Sequence, residues 1–165
     1  MIVFTPNTVI KSADVNLNFA EVTANIDKDW TTWTPTWSST GTQPALGNGT
    51  LTAKYRQLGK IVFVSIRFVA GSTTTFGTGS YYLTYPVTPI AAYNTTSGGW
   101  NLSGYAEDAG VVAYTIQGTR MATSTTFQII MVAPQNANVN AWGATLPATW
   151  GNGDFWWATG FYEAA

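Results

Sequence analysis

The sequence predicts an all-β protein: an antiparallel two-sheet sandwich, jelly-roll-like in its number of strands, preceded by one N-terminal α-helix. From residue 30 onward, apolar and polar residues alternate over short segments, which is the period of a β-strand. Threonine, with 27 of the 165 residues, and aromatic residues, with 15%, are abundant, and both favour strands. No helical segment separates the predicted strands, so folds built from parallel βαβ units are excluded.

The chain contains neither cysteine nor histidine, which removes several kinds of functional site. Without cysteine there is no disulfide and no thiolate zinc site. Without histidine, a Ser-His-Asp arrangement cannot be built, and the commonest general base and transition-metal ligand are missing. We therefore expect a protein with no cofactor, no metal site and no enzymatic activity. A glycan depolymerase is the enzymatic alternative.

Charge and hydropathy limit the partners of the chain. Only 9% of the residues are charged and the net charge is −1, so there is no basic stripe with which to bind nucleic acid. No apolar run approaches the 18 or so residues that a membrane-spanning helix requires, so we expect no membrane span. A surface poor in charge and rich in hydroxyls and amides suits a protein that packs tightly among copies of itself or among other proteins.

Three parts are predicted along the chain: an extended arm over residues 1–11, a helix over 12–29 and the β domain over 30–165. Ile2, Val3 and Phe4 form an apolar start that is too short for the core of a signal peptide. We expect these three residues to anchor the arm on a larger particle. The alternative is a frayed terminus.

The predicted helix carries a narrow apolar seam. Ser12 is the expected N-cap, and Asp14 complements the helix dipole in the first turn. The seam has the 4, 3, 4 spacing of a coiled coil, and we expect it to join copies of the chain, with packing against the chain's own β domain as the alternative. Its residues are Val15, Phe19, Val22 and Ile26.

The β domain is expected to contain about eight strands, with hairpin turns at 59–60 and 108–110 and a long irregular loop over 134–153. The strand predicted first contains Pro35 and should therefore lie at an edge. Trp30, Trp33 and Trp37 are expected to pack at the junction of helix and β domain. The predicted strands are 33–37, 49–58, 60–69, 80–85, 100–107, 110–118, 127–133 and 154–163, the last with Phe155, Trp157 and Phe161 on one face.

The acidic residues of the β domain do not form a catalytic pattern. Glu107 and Asp108 are adjacent, so on a strand their side chains point to opposite faces rather than into one cleft. Asp154 follows a Gly-Asn-Gly sequence, and we expect its carboxylate to fix that turn by an Asx-type hydrogen bond. A calcium site formed with Asn152 is a weak alternative, because only one carboxylate is available.

Three tryptophans in predicted loops are candidates for binding. Trp100, Trp142 and Trp150 are flanked by glycine, asparagine and threonine rather than by apolar runs. Exposed indoles in such surroundings stack on sugar rings, so these residues are possible contacts for a host-surface glycan. The alternative is that they cap the ends of the sandwich or fill subunit interfaces.

Six short stretches of the chain resemble the small modules of tailed-bacteriophage fibres and minor tail proteins. They extend from near the start of the chain to near its end, and their motifs are moderately specific, because they recur in virion proteins of varied position. The stretches are 8–21 (TVIKSADVNLNFAE), 33–37 (WTPTW), 46–51 (LGNGTL), 55–60 (YRQLGK), 147–154 (PATWGNGD) and 160–163 (GFYE).

The resemblance implies a viral structural protein: a homotrimeric β-sandwich module on the virion surface, made in the host cytoplasm. As a tail fibre it would contact host-surface glycans during attachment. As a head fibre or decoration protein it would have no receptor role. Fibre proteins usually carry such a module at the end of a long chain, and the short arm here favours a stand-alone appendage whose residues 1–11 bind other virion proteins. A free carbohydrate-binding module is the remaining alternative.

Overall fold

The computed structural model describes residues 3, 9, 11–93, 99–121, 123–132 and 139–165. The chain divides into two compact units, residues 1–30 with the helix and residues 31–165 with all the strands. The elements are α1 (Ser12–Ile26), β1 (Thr31–Trp33), β2 (Trp37–Ser39), β3 (Thr50–Leu58), β4 (Ile61–Val69), β5 (Tyr81–Thr84), β6 (Asn101–Asp108), β7 (Val112–Met121), β8 (Thr126–Val132), β9 (Val139–Ala141) and β10 (Phe155–Glu163).

The helix α1 is shorter than the sequence predicts. Its 15 residues span about 22 Å, and it ends at Ile26 instead of residue 29. The prediction of Ser12 as N-cap is wrong: Ser12 is the first helical residue, and Lys11 occupies the capping position without a side-chain hydrogen bond. Asp14 lies in the first turn, as predicted.

The strands form an antiparallel sheet rather than two separate layers. Nine strands follow one hydrogen-bonded path, β1-β3-β4-β10-β6-β7-β8-β5-β2, and β9 pairs with β8 beside this path. The prediction of an all-β fold with one N-terminal helix is confirmed. The two-sheet, jelly-roll-like sandwich is not confirmed, because hydrogen bonding continues from one end of the path to the other.

An aromatic cluster shows that the sheet curls around its core. Trp37 lies on β2, the last strand of the path, whereas Phe68 lies on β4, the third strand from the opposite end. Their ring centroids are nevertheless 5.2 Å apart, and the indole of Trp142 stacks on that of Trp37 at 5.6 Å. Tyr81 and Trp156 also pack against Trp142. Burial of these large rings closes the sheet into a half-barrel.

Some local predictions are wrong in segments whose apolar pattern is too short to define a strand. The predicted strand 33–37 is two strands, β1 and β2, which lie at opposite ends of the sheet path on either side of Pro35. Both are edge strands, as the proline indicates. The predicted loop over 134–153 contains the short strand β9, while residues 133–138 lie outside the described part of the chain. Trp33 and Trp37, predicted to pack at the junction of helix and β domain, are partly buried against the core of the β domain.

The hairpins predicted by alternation are present. Strands β3 and β4 pair from Leu58↔Ile61 to Thr50↔Val69 across the predicted turn, and β6 pairs with β7 across 109–111. Strand β10 then inserts between β4 and β6 and pairs with both. The last strand of the chain therefore lies near the middle of the sheet path, where its two neighbours come from different hairpins.

Candidate functional site: an exposed aromatic face on the β domain

The predicted anchoring residues are only partly described. Ile2 and Phe4 lie outside the described residues, and Val3 is exposed. Anchoring through residues 1–11 therefore stays a prediction.

The predicted oligomerisation seam lies on one face of α1. Val15, Phe19 and Val22 border a common shallow depression together with Asn18. Val15 is half-buried, whereas Phe19 is 67% exposed and Val22 and Ile26 are also exposed. A helix of 15 residues is marginally stable alone in water, so a partner that covers these side chains would stabilise it.

The three tryptophans predicted to contact glycans are buried, so they do not form a surface for sugar stacking. Trp142 is 1% exposed within the aromatic cluster, and Trp100 and Trp150 are also in the core. The indole Nε1 of Trp100 donates to the hydroxyl of Tyr85 at 3.1 Å, and that of Trp150 donates to the carbonyl of Gly143 at 3.1 Å. All three belong to the hydrophobic core of the β domain.

The carboxylate of Asp154 fixes its turn, as predicted. Its Oδ2 accepts a hydrogen bond from the backbone N–H of Gly151 at 2.6 Å, and its Oδ1 accepts one from the N–H of Ala109 at 2.9 Å. Its backbone carbonyl accepts from the N–H of Ala70. A single buried residue thus joins the start of β10, the β6–β7 hairpin and the end of β4. Both carboxylate oxygens serve this junction, which argues against the calcium alternative.

An aromatic surface, which the sequence does not single out, covers the outward side of three neighbouring strands. Across β4 and β10, Phe63 and Phe161 are register partners, with ring centroids 6.1 Å apart. Across β10 and β6, Trp157 and Tyr105 are register partners. We call this surface the outer aromatic face and define it by Ile61, Phe63, Tyr105, Trp157 and Phe161.

The residues of the outer aromatic face are between 37 and 48% exposed. Between the two aromatic rows runs a row of hydroxyl side chains, in which Ser65, Thr159 and Ser103 are register partners on β4, β10 and β6. From β4 to β6 the face is about 10 Å wide, and from the row of Ile61 to the row of Trp157 it extends about 20 Å along the strands. Exposed apolar surface is a feature of interaction sites, which makes this face a candidate.

The charged side chains lie at the borders of the face and differ in sign. On the β3 and β4 side, Lys54 and Arg67 are exposed. On the β6 side, Glu107 accepts a hydrogen bond from the hydroxyl of Tyr105 at 3.0 Å. This hydrogen bond, followed by desolvation and the charge of Glu107, raises the pKa of the Tyr105 hydroxyl. The β3–β4 side of the face is therefore basic and the β6 side is acidic. A further acid, Glu163, lies at the end of the middle strand β10 as the register partner of Ile61.

A depression adjoins the basic border. It has a volume of about 480 Å³ and is lined by hydroxyl, methyl and cationic groups. Arg67, which lines it, is the register partner of Trp157, so the depression opens beside the outer aromatic face. Its lining residues are Thr32, Thr52, Ala53, Lys54, Ser65 and Arg67.

The sequence predicts that Phe155, Trp157 and Phe161 share a face of the last strand, but it does not show that this face is exposed. Trp156, Ala158 and Tyr162 alternate with them and are the buried set. Because both faces of this strand carry aromatic residues, alternation alone does not tell the inner from the outer face. The signal in the sequence was the segment FWWATGFY, which places apolar side chains on both faces of the strand, so that in a sheet with its core on one side one of those faces is not covered by the core.

No protein-family model, curated protein or solved structure matches this chain. The resemblance to phage fibre modules therefore rests on the sequence stretches given above. Within the described residues, no helix is long and apolar enough to cross a membrane. The same part of the chain holds no group of three or more acidic residues placed to bind a metal ion.

Proposed function

We propose that this chain is a structural subunit of a bacteriophage virion, a homotrimeric surface fibre or spike that is anchored by its N-terminal arm and performs no catalysis. The β domain would project from the particle. The two halves of the curled sheet, packed on each other through the aromatic cluster, would act as the sandwich layers of a fibre module.

The main support is the seam of α1. Apolar side chains at coiled-coil spacing lie on one helical face, with Phe19, Val22 and Ile26 exposed, in a chain of which only 9% is charged. Burying such a seam in a bundle of identical helices removes it from water and aligns the copies in parallel. The fibre-like stretches of the sequence supply the virion assignment.

Sedimentation velocity of the full chain tests the trimer. We expect wild type to sediment as a trimer, and Val15→Asp with Phe19→Asp to raise the concentration for half-dissociation at least tenfold, because two carboxylates per helix would be placed in the seam. The matched control is Asn16→Asp with Ala20→Asp, which adds the same charges at the same spacing off the seam. Equal effects of the two variants would contradict a role for the seam.

Immunogold electron microscopy of purified particles tests the virion role. Gold at a tail tip would indicate a fibre that contacts the host, and gold over the head would indicate a head fibre or decoration protein. Absence of gold, with an antibody shown to bind the native chain, would contradict the proposal.

The free carbohydrate-binding module is the second candidate, and the outer aromatic face is the observation that favours it. Exposed Trp157 and Tyr105 beside hydroxyl side chains resemble a surface on which sugar rings stack. Binding of host cell-wall polysaccharide by the protein, lost in Trp157→Ser, together with unlabelled particles, would support this candidate.

A further inference from the structure

We propose that the outer aromatic face is a contact between the β domains of neighbouring copies of this chain. In this arrangement the acidic border of one copy meets the basic border of the next. The inference rests on the proposed homotrimer and adds to it a second contact, outside the helix.

The composition of the face is that of a protein interface. Side chains on the solvent side of an antiparallel sheet are normally polar, because alternation places the apolar set in the core. Here the middle strand carries Trp157 and Phe161 beside Phe63 of β4. The charged residues lie on the two sides of the face, except Glu163, which lies at the end of the middle strand. Aromatic side chains at the centre, few charges there and a polar rim are the features of interface cores.

The distribution of charge makes the face complementary to itself. Arg67 and Lys54 lie on the β3–β4 side and Glu107 on the β6 side. If the β6 side of each copy packs on the β4 side of the next, every acidic border meets a basic border, and the contact repeats around a closed ring. Arg120 is also exposed, but it lies outside residues 112–116 of β7, which pair with β6, so it does not border the face.

The shape of the basic border fits this contact. The depression of about 480 Å³ beside Arg67 is large enough to receive protruding side chains. Tyr105 and Glu107 lie on the opposite border. The hydrogen bond from the Tyr105 hydroxyl to the Glu107 carboxylate holds the two side chains together. Inserted into the depression of the next copy, the carboxylate of Glu107 would approach the guanidinium of Arg67 while the ring of Tyr105 covers its apolar lining.

A second copy explains the opposite signs of the two borders, whereas a glycan does not require them. A neutral sugar would need only the rings and hydroxyls. An anionic sugar would be attracted by Arg67 and Lys54 but would leave Glu107 without a role. A glycan is therefore the competing occupant that the experiment distinguishes.

The test uses the full chain and compares substitutions on the face with a matched control. Trp157→Glu places a charge at the centre of the proposed contact, and its side chain lies outside the core. Val111→Glu is the control, because Val111 is exposed in the β6–β7 turn and off the face. Arg67→Glu and Glu107→Arg reverse the two borders singly and together.

Sedimentation velocity over a dilution series gives the concentration at which each protein half-dissociates. We expect Trp157→Glu to raise this concentration at least thirtyfold, as for a central interface residue, and Val111→Glu to leave it within twofold. Each single charge reversal should raise it about tenfold, and the double reversal should restore it to within threefold of wild type. Folding of each variant is checked by its thermal unfolding transition.

The results separate this inference from the proposed function. If the seam variant dissociates while Trp157→Glu and the charge reversals match wild type, the helix trimer stands and the face contact is overturned. If Trp157→Glu dissociates and the seam variant does not, the face contact stands and the helix trimer fails. If Trp157→Glu retains its mass but loses binding to host cell-wall polysaccharide, the face binds a glycan and the inference is overturned. Monomeric wild type at millimolar concentration would overturn both.

Discussion

Asp154 illustrates how much a single side chain contributes at the residue scale. It is 3% exposed, and both of its carboxylate oxygens accept backbone hydrogen bonds from different segments. Bonds to an ionised acceptor are stronger than neutral ones, and unpaired buried N–H groups are costly. The turn before β10 and the β6–β7 hairpin therefore depend on the same carboxylate.

We expect Asp154→Ala to lower the free energy of unfolding by about 2–3 kcal/mol, because two partly buried N–H donors lose their acceptor. Asp154→Asn keeps one acceptor oxygen and should lose about half as much. Asp29→Ala, which removes an exposed carboxylate, is the control and should change little. Urea denaturation followed by tryptophan fluorescence measures all three, and equal values for Asp154→Ala and Asp29→Ala would contradict the junction role.

The ionisation of Asp108, a neighbour of this junction, lowers the stability of the fold. Desolvation, and secondarily the charge of Asp154, raise the pKa of the Asp108 carboxyl above its usual 3.8. The folded protein then holds the proton more tightly than the unfolded chain, so ionisation of this group lowers stability as pH rises through the folded pKa. Asp108→Asn should therefore be more stable than wild type at pH 7.

The pH dependence of the difference checks this interpretation. Below about pH 3 the wild-type carboxyl is protonated in both states, and the gain of Asp108→Asn should disappear. Urea denaturation of both proteins between pH 3 and 7 measures the trend. A gain that stays constant with pH, or grows on acidification, would show that the electrostatic cause is wrong.

At the scale of elements, two glycines permit the close pairing of β6 with β10. A Cβ atom at Gly104 would collide with the carbonyl oxygen of Trp157, and one at Gly160 would collide with that of Asn101. Both positions lie on the inner side of the sheet between buried residues of the same strand. The neighbouring strands approach more closely here than a side chain allows.

Gly104→Ala and Gly160→Ala should each lower the free energy of unfolding by about 2 kcal/mol or more, because backbone must move to relieve the overlap. Gly118→Ala in β7 is the matched control, since an added Cβ there would lie 3.7 Å from the carbonyl oxygen of Trp100, which is ordinary contact distance. Thermal unfolding followed by circular dichroism compares the three. A control as destabilised as the other two would contradict the steric explanation.

The whole molecule depends on its last strand. Strand β10 lies between β4 and β6 and adds Trp156, Ala158 and Tyr162 to the core. Its two neighbours therefore complete their pairing only when the end of the chain joins them. A topology of such long-range pairings is expected to fold slowly compared with a helical protein of the same size.

Removal of residues 155–165 should abolish the cooperative unfolding transition, because it divides the sheet and removes part of the core. Removal of residues 1–30 should preserve the transition, since every buried apolar residue in the described chain lies after residue 31. Differential scanning calorimetry of the two truncated chains tests this. A cooperative transition in the chain ending at residue 154 would contradict the central role of β10.

The sequence predicted the local elements well where alternation and turn residues agree. The β3–β4 hairpin is an example, because Leu51, Ala53 and Tyr55 alternate with polar residues and Gly59 has the positive φ that its turn requires. The hydrogen bond between Asp154 and Gly151 was predictable because the two residues are three apart in the sequence. The second bond, to Ala109, joins distant segments and was not predicted. The segment from Trp33 to Trp37 was harder, because five residues with a central proline contain too little pattern to show two strands.

By itself, the sequence determined the β-rich class, the helix and its apolar seam, and the absence of cysteine and histidine chemistry, because these follow from composition and short periods. Tertiary structure decided which face of each strand is inside. Trp100, Trp142 and Trp150, candidates for glycan contact because of their polar neighbours, are buried, whereas Trp157 is exposed. Burial of an aromatic ring depends on how the sheet curls and on which distant strands pack against that ring. The residues next to it in the sequence do not determine those contacts.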